Sequence, residues 1–146
     1  MKTMTRRGGN ATSCRRGFTL IEVMIALAIA AILFAVALPS YKAQIQRSSR
    51  QAAQSQLVEM AATQEKIFLN SNAYSDQVAA AYTGISTGGL GVTSGKTPDA
   101  RYTLTVSVDD ASFTLTATPV AGSTQANDGT LTITSNGKRT WGTKSW

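Results

Sequence analysis

Histidine is missing from all 146 residues, and the single cysteine is Cys14. A His base, a Cys–His nucleophilic pair and a Cys/His zinc site are therefore excluded within one chain, as is an intrachain disulfide. A phosphate-cradling glycine pattern is missing too. Gly89-Leu90-Gly91 lacks the third glycine and the strand-to-helix setting of a dinucleotide fingerprint, so it reads as loop. Asp109, Asp110 and Asp128 are scattered and make no calcium loop. With no nucleophile–base pair either, the chain is expected to be no enzyme and to hold no cofactor and no metal. Acid is missing from residues 1–17, which carry Lys2, Arg6, Arg7, Arg15 and Arg16. The net charge is +6, and +6 minus the +5 of this tail leaves +1 for the rest. The basic balance thus belongs to the N-terminus and says little about nucleic-acid binding by the body. Cys14 does not mark a lipoprotein, because the apolar stretch follows it instead of preceding it.

That stretch is the strongest feature present. Phe18 to Leu38 is apolar apart from Thr19 and Glu22. At 1.5 Å per residue such a helix is about 31 Å long, the thickness of a bilayer's hydrocarbon core. The basic tail favours a cytoplasmic N-terminus, although Lys42, Arg47 and Arg50 follow on the far side. Glu22 is out of place there, since a carboxylate inside a bilayer costs several kcal/mol and usually has a partner. Cutting between Gly17 and Phe18 would give Phe18 an α-ammonium, a fitting partner on a neighbouring chain. The plainer reading has Glu22, about one turn into the helix, snorkelling to the interface. A secretory signal cut after Ala35-Val36-Ala37 is the other alternative, but the run is long for one and Glu22 does not suit it.

Arg15-Arg16-Gly17-Phe18-Thr19-Leu20-Ile21-Glu22, followed by an apolar helix and Pro39, resembles the class III signal of type IV prepilins. The resemblance implies that a prepilin peptidase cuts after Gly17 and methylates Phe18, and that Glu22 is the assembly carboxylate. It divides the chain into a leader (1–17), a transmembrane or filament-core helix (18–39) and a globular domain (40–146). The leader is long, and a start at Met4 would shorten it. Members commonly have a Gly in the apolar half of the helix, where Ala30 and Ala31 stand here.

Helical periodicity resumes past Pro39. Tyr41, Ile45, Ala52, Ala53, Leu57, Met60, Ala61, Ile67 and Phe68 recur at mostly three- and four-residue steps, and Lys42, Gln46, Arg50, Gln54 and Glu65 take the other face. The expectation is one helix from about Phe18 to Leu69, kinked near Pro39, apolar all round and then amphipathic. A glycine-rich loop to Ala100 follows, with Tyr74, Val78, Tyr82, Ile85 and Leu90 as anchors. Four strands are predicted: Arg101–Val108, Ser112–Thr118, Thr130–Thr134 and Lys138–Trp141, with a hairpin turn at Asn136-Gly137. Tyr102, Leu104, Val106, Val108, Phe113, Leu115, Ala117, Leu131 and Ile133 make their apolar face. The fold class is α+β: a long helix whose C-terminal half packs on an antiparallel four-stranded sheet, the pilin (ladle) fold.

The C-terminal half is similar to the PilE-type minor pilins in Tyr102-Thr103-Leu104, Phe113 to Pro119, Gly129 to Thr132, Gly137 and Trp146. Such pilins usually close this region with a disulfide, its cysteines expected near Asp128 and near Ser145; neither is present, and Trp141 or Trp146 is the expected compensation. The resemblance implies a subunit, on balance a minor pilin, that waits single-pass in the bacterial inner membrane and then enters an extracellular pilus for motility, adhesion or DNA uptake. Its partners would be other pilin subunits, prepilin peptidase, the inner-membrane assembly platform and, before assembly, the membrane. A type II secretion pseudopilin shares the N-terminus but usually carries an acidic calcium loop. A DNA-binding competence pilin is the further alternative. Lys138, Arg139, Trp141, Lys144 and Trp146 mix cations with aromatics as a single-stranded nucleic-acid surface does, while the plainer reading is a last strand with solvated charges and packed tryptophans.

Overall fold

The computed structural model describes residues 17–146. The expected leader, with Cys14 and either start at Met1 or Met4, lies outside the described residues up to Arg16. The chain divides between Leu38 and Pro39 into two units.

Helix α1 runs from Leu20 to Ser71 and contains Pro39. Thr19 caps its start, with Oγ1 accepting from the Glu22 amide at 3.3 Å and its carbonyl accepting from the same amide at 3.1 Å. Thr19-Leu20-Ile21-Glu22 thus has the spacing of a capping box. Its end is set by Asn72, which takes a left-handed φ of 51° and donates its amide to the Phe68 carbonyl at 2.7 Å, closing the last turn. In the first unit the apolar side chains of α1 from Leu20 to Leu38 are exposed apart from the half-buried Ala30, and this helix is long and apolar enough to cross a membrane.

In the second unit the buried residues of α1 are Ser49, Ala53, Leu57, Met60, Gln64 and Ile67, a strict three- and four-residue stripe. Two expected members fall off it, since Tyr41 and Ala52 are exposed. Two polar residues take places on it. Gln64 donates to the Ser75 carbonyl at 2.6 Å and accepts from the Ser75 amide at 2.9 Å. Ser49 Oγ accepts from Arg101 Nη1 at 2.9 Å. A buried polar group that finds its partners is no loss, and here it joins the helix to the loop and to the residue that leads into the sheet's first strand.

Five strands follow: β1 (Tyr102–Asp109), β2 (Ser112–Pro119), β3 (Leu131–Thr134), β4 (Arg139–Trp141) and β5 (Lys144–Ser145). They form one antiparallel sheet in chain order. The α+β architecture is as expected, with one strand more than the four predicted. Lys144–Ser145 is too short to show an alternating pattern, and only its pairing with Thr140–Trp141 makes it a strand. Leu104 lies opposite Ala117, Ala117 opposite Leu131 and Leu115 opposite Ile133, so one face of the sheet is apolar and covers the helix stripe. Tyr102, Phe113 and the rest of that face are buried, with Val106 and Val108 half-buried at the margin.

Val78 and Leu90 anchor the intervening loop as expected and Tyr74 packs between Phe68 and Phe113, whereas Tyr82 and Ile85 remain 49% and 46% exposed. The loop folds back on itself instead, through bonds such as Leu90 to Gln77 and Val92 to Val78. A Cβ on Gly89 would lie 2.1 Å from the Ala80 carbonyl oxygen, which is why a glycine sits at this crossing.

Candidate nucleic-acid interface

The last eighteen residues, Gly129 to Trp146, contain Lys138, Arg139 and Lys144 and no acid. The structure gathers them on the β4–β5 edge. The β3–β4 turn is held by Asn136, whose Oδ1 accepts from the Lys138 amide at 3.0 Å, and by the Gly137 amide donating to the Thr134 carbonyl at 2.8 Å. That local closure is what the Asn-Gly pair predicts. All three cationic side chains are exposed. Lys144 lies opposite Trp141 across the strand pair.

Both tryptophans are engaged. Trp141 donates its indole N–H to the Asp128 carbonyl, and Arg50 stacks over its ring at 3.6 Å, with the Lys144 ammonium 5.6 Å from the ring centre. A Cβ on Gly129, whose φ is +89°, would sit 3.2 Å from that indole nitrogen, so the close approach needs glycine. Trp146 donates to the Thr140 carbonyl at 2.9 Å and has Arg139 at 5.3 Å from its ring. Cations thus occupy the ring faces, each such pair contributing about 0.5–2 kcal/mol.

Behind Trp141 lies a polar cluster that the sequence did not signal. Arg50, 78 positions away in the chain, forks onto Asp128 through Nε at 2.8 Å and through Nη2. Tyr102 donates its hydroxyl to the same carboxylate, and Gln125 Nε2 donates to the Tyr102 oxygen and to the Gln46 carbonyl, each at 3.0 Å. Burial pushes the Asp128 carboxyl up, but the Arg50 and Tyr102 hydrogen bonds and the Arg50 charge outweigh it and hold the group below its usual range. Burial, then the bond to Asp128, pushes the Tyr102 phenol well above its ordinary value. The Asp128 bond likewise raises Arg50. Arg50 and Gln46 were expected on the polar face of the helix; both are half-buried because the loop carrying Gln125 and Asp128 covers them. This ion pair stands where a closing disulfide was expected near Asp128, with Trp141 packed on it.

At the other end of the chain, Gly17, Phe18, Thr19 and Glu22 line one open cleft. Phe18 is 82% exposed there. Phe18, Glu22, Ala26 and Ala30 also share one apolar groove along the helix. Pro39 lines neither the cleft nor the groove.

A family model for the type IV minor pilin ComP, DNA uptake sequence receptor, matches residues 39–132. A second, the prokaryotic N-terminal methylation motif, matches residues 12–38, a range that includes Gly17, Phe18 and Glu22. The type IV major pilin protein PilA of Myxococcus xanthus (strain DK1622) is 41% identical over 61 residues, which cover 42% of this chain and 28% of that protein. The chain therefore spans little more than a quarter of that relative. The methylation motif and the apolar helix fit a subunit anchored in the inner membrane and assembled into an extracellular pilus. With well over half of its length matched, the chain belongs to the ComP family of type IV minor pilins.

Proposed function

We propose that this minor pilin is a DNA receptor of the type IV pilus and that its β4–β5 edge takes DNA by the phosphate backbone. The observation that carries the reading is the acid-free edge with Lys138, Arg139 and Lys144 exposed together, on a chain whose family is described as a DNA uptake sequence receptor. The family match ends at Thr132, so the edge is argued from its chemistry alone. Stacking of unpaired bases is disfavoured, because Arg50 covers Trp141 and both indole N–H groups already have acceptors. Lys138, Arg139 and Lys144 are exposed and have no acid beside them in this segment, and cations so placed suit the phosphates of duplex DNA.

The reading includes a processed and assembled subunit. Prepilin peptidase cuts after Gly17 and methylates Phe18, the assembly platform receives the chain, and Glu22 meets the new N-terminus of a neighbouring subunit. Pro39 is the place where the helix bends.

The test uses the full chain in detergent micelles and a fluorescent DNA duplex across a salt series. Binding should weaken linearly in log salt, and changing Lys138, Arg139 and Lys144 to Ala together should flatten the slope by about 2–3, at roughly 0.9 for each phosphate left unneutralised. An unchanged slope and affinity in the triple variant would remove DNA from this edge.

A further inference from the structure

The edge proposed to meet DNA is lightly built. β4 pairs with β3 over three residues and β5 with β4 over two. Ladders this short contribute little stability by themselves. Beside the ladder, the Thr132–Thr140 hydroxyl bond and the bond from Trp146 to the Thr140 carbonyl, β4 is fastened to the helix and to the loop before β3 through Trp141. Its indole is held on one side by the Asp128 carbonyl and on its face by Arg50, and Arg50 is in turn fixed by the Asp128 carboxylate. Asp128 is itself tied to β1 by Tyr102, and the Asp128 side chain is 4% exposed, so the fastening does not float in solvent. The Gly142 amide, one residue on, donates to the Thr130 carbonyl at 2.9 Å and passes the same placement to the turn before Lys144.

Resting on the DNA reading above, we propose that Arg50 and Asp128 are positioning residues for the DNA-binding edge, acting through Trp141 and touching no DNA themselves. Two features of the geometry support it. The guanidinium forks onto Asp128 through Nε and Nη2 and lays its face on Trp141, and its side chain is only 20% exposed, so its charge is already paired and largely withdrawn from a phosphate. The pair is also neutral as a unit, so it adds nothing to the field that attracts DNA and affects binding through geometry alone.

Charge and geometry predict opposite signs here. Asp128→Asn makes the chain one charge more positive, and attraction alone would tighten DNA binding. Positioning predicts weaker binding, on the order of tenfold, as coupled neighbours generally give. Arg50→Lys keeps the net charge but loses the fork and the planar stack, and should weaken binding in the same direction. The experiment measures duplex affinity of the full chain in micelles for both variants across salt, together with the near-ultraviolet circular dichroism of Trp141 in a Trp146→Phe background. The expected result is weaker binding at an unchanged salt slope, with an altered Trp141 band. Wild-type affinity in either folded variant overturns the proposal, and so does an unchanged Trp141 band. Should Asp128→Asn not fold, Arg50→Lys carries the test. Should the unmodified chain bind no DNA, the receptor reading fails, and the hold on Trp141 is still decided by the band.

Discussion

At the scale of single residues, the informative ones are polar groups that the fold has buried and paired. Asp128 is the clearest case. Its carboxyl titrates below the ordinary 3.8 because the bonds from Arg50 and Tyr102 and the Arg50 charge outweigh the effect of burial. A carboxyl depressed in the folded state stabilises the fold fully above its unfolded value and loses that contribution as pH falls through the folded one. Urea midpoints of the full chain in micelles should therefore drop as pH falls from about 4 toward 2, and more steeply than in Asp128→Asn. Asp99 works in the same direction, since its bonds to Thr97 and Ser49 overcome burial, so the variant should retain a smaller acid slope. Parallel curves for the two proteins would contradict the role given to Asp128. The pair is not legible in the sequence: Asp128 stands there as a scattered acid and Arg50 as a solvated cation, because nothing local links positions 78 residues apart.

At the scale of elements, the helix and the first three strands follow their periodicity closely, and the C-terminal edge does not. The α1 stripe departs from its periodicity only at its margins. Tyr41 and Ala52 have the right step but lie beyond or beside the area the sheet covers, while Ser49 and Gln64 lie under it and use their polar atoms to hold Arg101 and Ser75. β5 carries no sequence signal because two residues show no alternation, and it exists by pairing with β4. Trp146 follows β5 and packs half-buried against the core while bonding back to Thr140. Trp146→Ala should lower the melting temperature, by an amount equivalent to about 1–2 kcal/mol, less than a fully buried tryptophan because the ring is partly exposed. Thermal unfolding followed by far-ultraviolet circular dichroism checks this, and an unchanged midpoint would show that the last strand does not depend on that ring.

At the scale of the whole molecule, the two units answer to different solvents. The first shows apolar side chains on every side and one acid near its start, Glu22, within the capped first turn. The second carries the sheet, the ion pair and the cationic edge. A pilin subunit needs the first unit covered by lipid before assembly and by other subunits afterwards. The proposed cleavage and docking follow from that need, since an intramembrane carboxylate calls for a cation. Glu22→Ala should leave a processed chain that begins at Phe18 by mass spectrometry, yet its amount in sheared pili should fall well below wild type. Equal incorporation would dismiss the docking role, and an intact leader in both proteins would dismiss the cleavage.

Whatever depends on neighbours along the chain was settled by the sequence alone: the apolar span and its acid, the helical stripe, the Thr/Leu alternation of β1 to β3 and the Asn136-Gly137 turn. Helix and strand periodicities and turn chemistry act over a few residues, so the letters display them directly. The tertiary structure decided what depends on distant groups meeting in a dry place. It joined Arg50 to Asp128, set Trp141 against them and Lys144, and made a strand of Lys144–Ser145. Such contacts are stable because burial removes competing water and leaves each polar group in need of its partner, and which partner arrives is fixed by the path of the folded backbone.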